Sequence, residues 1–341
     1  MDIPWDLNWE KSYKVSIGTR PYIPEQYTAQ ELQAIPTSLQ RPASSYEADT
    51  IPSNAVKLGN LVSEGFDRRG FSFKFNYFNK LSKKGGDAEN ATLDLYNPSE
   101  ELVDIIMQDR AVVVLELGYQ QKVELEYSGD IVKVSSREVG SDTIYTIKCA
   151  SGALAMRNTL VNLHYSETVS EQDVILDMIG RFPSTAVGTY GLNDLNGRFR
   201  TGGRNFTGSL VTNFDNLMAK HNLSYAHLNN KIVLVPYRLL GEDYDNFART
   251  NFTLDLHSIK KITDVTKKGD IGSKDVNSKL RSLQVNTFYA PIELGQFITI
   301  PDSEYTSEYA GTYQVKAKRT IAESTPNGGW DIVLEVESLS Q

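Results

Sequence analysis

One short pattern occurs twice in this chain, and it constrains the fold more than any other feature. Glu116-Leu117-Gly118 is followed by Glu126-Tyr127-Ser128-Gly129, and Glu293-Leu294-Gly295 by Glu308-Tyr309-Ala310-Gly311. Arg137 and Arg319 each stand eight places beyond the last glycine of their copy. Both copies run on into residues that alternate apolar and polar, the period of a half-buried strand. Repetition of order and context predicts two β-domains of similar plan, separated by a different middle segment. Such a chain can imitate two subunits of a ring.

A length of 341 residues is consistent with two or three domains. The 18 tyrosines and 13 phenylalanines, against 3 tryptophans, favour strands. The net charge of −8 argues against a general nucleic-acid binder, which needs a basic face to neutralise phosphate. It is compatible with a surface past which DNA slides. No apolar run approaches the roughly 20 residues of a membrane-spanning helix, so stable membrane insertion is not expected. Met1-Asp2-Ile3-Pro4-Trp5 lacks the charged and apolar regions of a secretion signal. Without a secretory route the sequons at Asn90, Asn205, Asn222 and Asn251 carry no meaning. Cys149 is the single cysteine, in phase with the strand pattern of 145–149. It reads as a buried, inert thiol, and no intrachain disulfide is possible.

Four regions are expected. In 1–57, Tyr13 to Gly18 alternates like one strand, while Pro21, Pro24, Pro36, Pro42 and Pro52 interrupt the rest. This reads as an extended proline-rich arm that a partner orders, with Trp5 and Trp9 as contact residues. The first β-domain spans 58–150. Phe71, Phe73, Phe75 and Tyr77 fall on one strand face. Asn97-Pro98-Ser99-Glu100 opens a short helix, with Asn97 as the expected cap. Strands follow at 112–117, 123–127, 130–134 and 143–149. A mixed α/β middle domain spans 151–240. Its helix is capped near Ser170, a glycine- and arginine-rich run lies at 188–209, and a second helix covers about 213–221. A hairpin then turns at Asn229-Asn230. The second β-domain, 241–341, alternates over 282–288, 292–300, 312–319 and 330–337, with Tyr313, Val315 and Ala317 on one face.

No catalytic, metal or cofactor site is expected. His164, His221, His227 and His257 show no ligand spacing. Gly202 to Gly208 lacks the lysine of a phosphate-binding loop, and Asp264, Asp270 and Asp275 lack the spacing of a calcium loop. Both read as surface loops, although Arg198, Arg200 and Arg204 are placed to meet acidic groups on a neighbouring subunit. Glu124 and Glu126 are two apart on one expected strand face and could pair as acid and base. Alternating carboxylates on such a face are usually solvated, and no nucleophile signature accompanies them.

Phe71-Ser-Phe-Lys-Phe75, Asn90-Ala-Thr-Leu-Asp-Leu-Tyr-Asn97, Val113-Val-Leu-Glu-Leu-Gly-Tyr119, Glu126-Tyr-Ser-Gly-Asp-Ile-Val132 and Ile144 to Gly152 resemble the baseplate hub proteins of contractile-tailed bacteriophages. The resemblance covers about 58–340 in layout and 71–152 in detail; the proline-rich stretch 19–57 has no counterpart in it. It implies a mainly β (α+β) chain with two tail-tube-like β-barrel domains, forming a homotrimer whose six similar domains make a ring. That ring would join the six-fold tail tube to the three-fold central spike and touch other baseplate proteins. DNA would pass through its lumen without specific binding, in a virion tail baseplate assembled in the host cytoplasm. The alternatives are the hub of a tailocin or contractile injection system, a tail-associated cell-wall hydrolase, and a monomeric carbohydrate-binding module.

Overall fold

The computed structural model describes residues 10–19, 51–67, 70–81, 90–152, 159–182, 186–188, 203–229, 231–236, 251–266, 280–325 and 327–338. In chain order the strands are β1 (Lys11–Thr19), β2 (Val56–Gly59), β3 (Phe73–Lys80), β4 (Asn90–Tyr96), β5 (Ala111–Tyr119), β6 (Lys122–Val139), β7 (Asp142–Ala150), β8 (Leu160–Tyr165), β9 (Ala186–Gly188), β10 (Arg204–Ser209), β11 (Leu223–Leu228), β12 (Lys231–Pro236), β13 (Asn251–Thr253), β14 (Ile259–Asp264), β15 (Ser282–Phe288), β16 (Phe297–Ile300), β17 (Gly311–Glu323) and β18 (Trp330–Ser338). The helices are α1 (Glu100–Ile106), α2 (Glu171–Gly180) and α3 (Leu210–Lys220).

The chain is mainly β, and one large sheet dominates it. Its order is β14-β15-β18-β17-β3-β4-β7-β6-β5-β1-β2, with β16 on β17 and β13 on β16. Two runs of strands within it have the same plan. In the first, β3-β4-β7-β6 is extended by β5 and β1; in the second, β14-β15-β18-β17 is extended by β16 and β13. The outermost pairing differs in sense, since β1 is antiparallel to β5 and β13 is parallel to β16.

Two closed barrels were expected, and among the described residues no sheet closes on itself. The reason lies in β17. Its residues 317–323 hydrogen-bond to β3 of the first run instead of to a strand of their own run. Backbone pairing therefore passes from one unit to the other rather than turning back within each.

Alternation drives the burial. Phe73, Phe75 and Tyr77 point into the core from β3 while Lys74, Asn76 and Phe78 point away. Leu93 and Leu95 of β4, Ile147 of β7 and Ile332, Leu334 and Val336 of β18 share that single core. Tyr77 meets Tyr127 edge-on at 5.2 Å, and Tyr13 meets Phe73 at 4.8 Å. Such aromatic pairs add about 1 kcal/mol each beyond their buried area. Tyr13, Val15 and Ile17 of β1 are fully buried between β5 and β2. The strand expected within the N-terminal segment is thus part of the main core. Residues 1–9 and 20–50 of that segment lie outside the described residues.

Two local expectations need correction. Ser99, not Asn97, caps α1: its Oγ accepts from the Leu102 amide at 3.3 Å. Asn97 instead adopts φ 51° and accepts from the Thr143 amide at 2.8 Å. The strands expected at 123–127 and 130–134 are one continuous β6, because Ser128-Gly129 does not turn. A side chain at position 129 would collide with the Tyr127 hydroxyl, so glycine there makes room and does not bend the chain.

The middle segment has its own core beneath α2 and α3, built from Val174, Ile175, Met178, Phe214, Leu217 and Met218. Ser170 and Ser209 cap the two helices through their hydroxyls. The hairpin β11–β12 turns at Asn229, whose φ is 51°. This lobe is pinned to the sheet: Asn79 donates to the His227 carbonyl at 2.7 Å, and the Ser128 amide donates to Asn229 Oδ1 at 2.8 Å.

Candidate assembly interface

The seam between β17 and β3 is the most elaborated junction of the molecule. Opposite rows run Ala317–Glu323 against Lys80–Lys74, antiparallel. On the face away from the core, Lys74 pairs with Glu323 at 2.7 Å and Arg319 donates to Asn76 at 3.2 Å. Phe78, Arg319, Ile321, Glu335, Lys261 and Thr263 line a shallow basin of about 340 Å³ on that face. Arg137 lies 3.9 Å from Asp94 in the first unit's share of the same face. Positive and negative groups therefore alternate over this surface, although the chain as a whole is acidic.

On the core side the two units are tied by a buried ion pair. Glu126 of β6 accepts from Lys318 at 2.8 Å, from Thr320 Oγ1 at 2.5 Å and from the Tyr289 hydroxyl at 3.1 Å. The side chains of Glu126 and Lys318 are 2% and 6% exposed. Burial, with the Glu126 carboxylate close by, raises the Tyr289 phenol well above its ordinary pKa, so it remains a donor. Three donors surround this carboxylate within the interior, which makes it a fixed link between units. Glu124 is exposed while Glu126 is buried. The two do not form the acid–base pair that their spacing allowed, and Glu126 is not solvated.

Two β-bulges create this arrangement. In β6, Tyr127 pairs with Leu115 and Leu125 with Glu116, leaving Glu126 as the extra residue. In β17, Val315 pairs with Val336 and Ala317 with Glu335, leaving Lys316 extra. A bulge changes which face the following residues present. Tyr313 and Val315 face the core as expected, but beyond the bulge Lys318, Thr320 and Ala322 do. Strict alternation had placed Lys318 on the outer face. The only local signal was Lys318 itself, in a strand otherwise rich in inward-facing apolar residues.

A third tie comes from β1. Lys11 Nζ donates to the carbonyls of Glu323, Thr325 and Gly328 at 3.2, 2.8 and 2.9 Å, capping the turn between β17 and β18. It also lies 5.6 Å from the Trp330 ring centre. Between β5 and β6, Gln120 and Gln121 both adopt positive φ, 54° and 65°. That is the geometry of a two-residue hairpin turn, usually filled by Asn or Gly. Gln121 is held there by Ser12, whose Oγ accepts from its amide at 2.7 Å, and by Val62, whose amide donates to its Oε1 at 2.7 Å.

The repeated letters do not coincide in space. Glu116-Leu117-Gly118 ends β5, but Glu293-Leu294-Gly295 precedes β16. Gly129 lies inside β6, whereas Gly311 opens β17 with φ 143° and room for an ordinary contact with Tyr313. Gly295 has φ 82° and fits against Val235 of the middle lobe. The plan is repeated, and the letters that suggested it serve different local needs.

Of the expected contact residues, Arg204 opens β10, exposed, with its guanidinium 5.0 Å from the Phe206 ring centre. Trp5, Trp9, Arg198 and Arg200 lie outside the described residues. Nearby, Glu171 is buried and receives Lys220 and His221. Among the described residues no cluster of three His, Cys, Asp or Glu side chains has metal-binding proximity, and no helix is long and apolar enough to cross a membrane.

No protein-family model matches this chain, and no curated protein does at the level of sequence. Solved structures do match in shape. A tail protein from Neisseria meningitidis superposes with a TM-score of 0.56 at 9% identity, over 96% of each chain. The 43 kDa tail protein of prophage MuSo2 from Shewanella oneidensis gives 0.52 at 8% identity, over 80% of this chain and 96% of that one. A type VI secretion system component from E. coli, described as similar to bacteriophage T4 tail proteins, gives 0.50 at 10% identity, over 80% and 74%. This chain is therefore similar in fold to phage tail proteins and to a secretion-system component that is itself tail-like.

Proposed function

We propose that this protein is a structural hub of a contractile-tail baseplate. In this reading three copies form a ring of six similar units, joining the six-fold tail tube to the three-fold spike and leaving a channel for DNA. One observation carries it: a single strand plan occurs twice in the chain, and the sheet passes from one copy to the next through β17 and β3. A chain that already contains one head-to-tail junction of this kind can repeat it between copies to close a ring. The fold shared with tail proteins agrees with this reading.

The division into a 1–57 arm, a 58–150 unit, a 151–240 lobe and a 241–341 unit belongs to the same proposal. So does a contact role for Trp5, Trp9, Arg198, Arg200 and Arg204 toward other baseplate proteins. The channel would be lined by the non-core face of the sheet. Lys74–Glu323 and Arg137–Asp94 pair in that face, so two of its cations are neutralised locally, which weakens its hold on DNA phosphates. This is a different physical basis from overall acidity. In this reading the role is structural, and the split of the one carboxylate pair considered for hydrolysis between solvent and a buried ion pair supports it. The fold shared with a secretion-system component supports a second reading, the hub of a contractile injection particle.

Light scattering across a concentration series, with negative-stain imaging, tests the proposal. A mass of about three chains and a ring with a central hole are expected. A compact monomer at every concentration, also in the presence of tube and spike proteins, would overturn it.

A further inference from the structure

β6 and β17 are the long, bulged strands of their units. Each keeps its hairpin partner beyond the bulge: β7 runs along the second half of β6, and β18 along nearly all of β17. Each carries a shorter strand, β5 or β16, on the opposite side of its first half. Beyond the bulge, that opposite side of β17 is filled by β3. On β6 the same side, over residues 133–139, meets no strand among the described residues. The strand that corresponds to β3 in the second unit is β14, and its far edge is equally open among the described residues. The two bare edges lie at the two ends of the run β14-β15-β18-β17-β3-β4-β7-β6 and do not meet within one chain.

We propose that β6 of one copy pairs antiparallel with β14 of a second copy, repeating between chains the seam that β17 and β3 make within one. The proposal rests on the ring reading above and names its interface. The internal seam also sets the register. Aligning the second bulge of β6, at Val132, with that of β17, at Lys316, places Arg137 where Ile321 stands. Following the ladders β4–β7 and β15–β18 places Thr263 where Asn76 stands and Val265 where Phe78 stands. Ile321 is opposite Asn76, and Arg319 is opposite Phe78. Arg137 is therefore opposite Thr263 of a second copy, Ser135 opposite Val265, and Val139 opposite Lys261.

Three observations agree with this pairing. Exposed strand edges expose unpaired backbone groups and are normally blunted or covered. Neither edge here carries a proline, and of the cations on them, Lys133 and Arg137 on one and Lys260 and Lys261 on the other, Arg137 and Lys261 stand opposite neutral residues in this register. Val139 and Val265, 53% and 42% exposed, are apolar side chains at these two edges. The register opposes no two like charges between 135–139 and 261–265.

The test is disulfide cross-linking in full-length protein with Cys149→Ala, adding Arg137→Cys and Thr263→Cys. Directly opposed strand residues lie close enough for a disulfide. Mild oxidation should give a thiol-reversible ladder of linked chains on a non-reducing gel, absent from either single variant. Ser135→Cys with Val265→Cys, on the next rung of the same face, should behave alike if the first pair folds poorly. Glu138→Cys with Thr263→Cys, one residue out of register, should stay unlinked. A trimer by light scattering in which neither in-register pair links would overturn this pairing and leave the ring intact. Linked chains that never close at three would keep the pairing and overturn the ring; a monomer that never links would overturn both.

Discussion

The two sheet units share a strand order but differ in what fills them. The first carries α1 between β4 and β5, with Leu102 and Ile106 buried in the core. The second crosses from β15 to β16 through residues 289–296, which bury Tyr289, Ile292 and Leu294 instead. The first is flanked by β1 and β2 from the N-terminal segment, the second, among the described residues, only by the three-residue β13. The long strand of the second unit has both sides occupied beyond its bulge, while that of the first has one. What recurs is the hydrogen-bonding plan; what fills the core is free to vary, provided the apolar volume is supplied. A duplicated fold can therefore survive loss of sequence similarity between its halves.

The comparison breaks most readily at Glu126. Glu126→Ala strands Lys318 as a buried cation across the joint between units and should cost about 3–5 kcal/mol, read as a fall in the urea midpoint. Replacing the pair together, Glu126→Leu with Lys318→Met, should recover much of that loss. If the single and double variants were equally unstable, the ion pair would not be the link.

The next effect tests how the middle lobe sits on the first unit. His227 is buried, neither ring nitrogen has a hydrogen-bond partner among the described residues, and burial lowers its pKa to about 4. The unfolded imidazole titrates near 6.5. Between these values the unfolded chain binds more protons, so stability falls as pH drops from about 6.5 toward 4 and this contribution levels off below. The full drop is on the order of 3 kcal/mol. His227→Gln should flatten that part of the stability-versus-pH curve, and an unchanged slope would remove His227 as its cause.

The smallest effect concerns α1, an α-helix that among the described residues has no counterpart in the second unit. Ser99→Ala removes the α1 cap and should cost about 1 kcal/mol, whereas Asn97→Ala should act through the hydrogen bond to Thr143 at the start of β7. Thermal melts of the two variants, with and without Asp142→Ala, separate these: Asn97 also donates to Asp142 at 2.9 Å, so only its variant should be non-additive with Asp142→Ala.

Much of this molecule is written locally. Alternation in Phe73–Tyr77 and Trp330–Val336, the serine before α2 and the asparagine turn of β11–β12 are each specified by neighbours within a few residues, because period and capping are short-range physics. The mainly β class followed from these signals, while the expectation that one plan occurs twice came from repeated letters that are not the equivalent ones. Only the tertiary structure decided that β6 is one strand, that bulges at Glu126 and Lys316 turn Lys318 inward, and that β17 pairs with β3 instead of closing a barrel. Those outcomes depend on the register between strands up to about 250 residues apart. Register is set by which backbone rows meet across space, and no window of neighbouring residues contains that information.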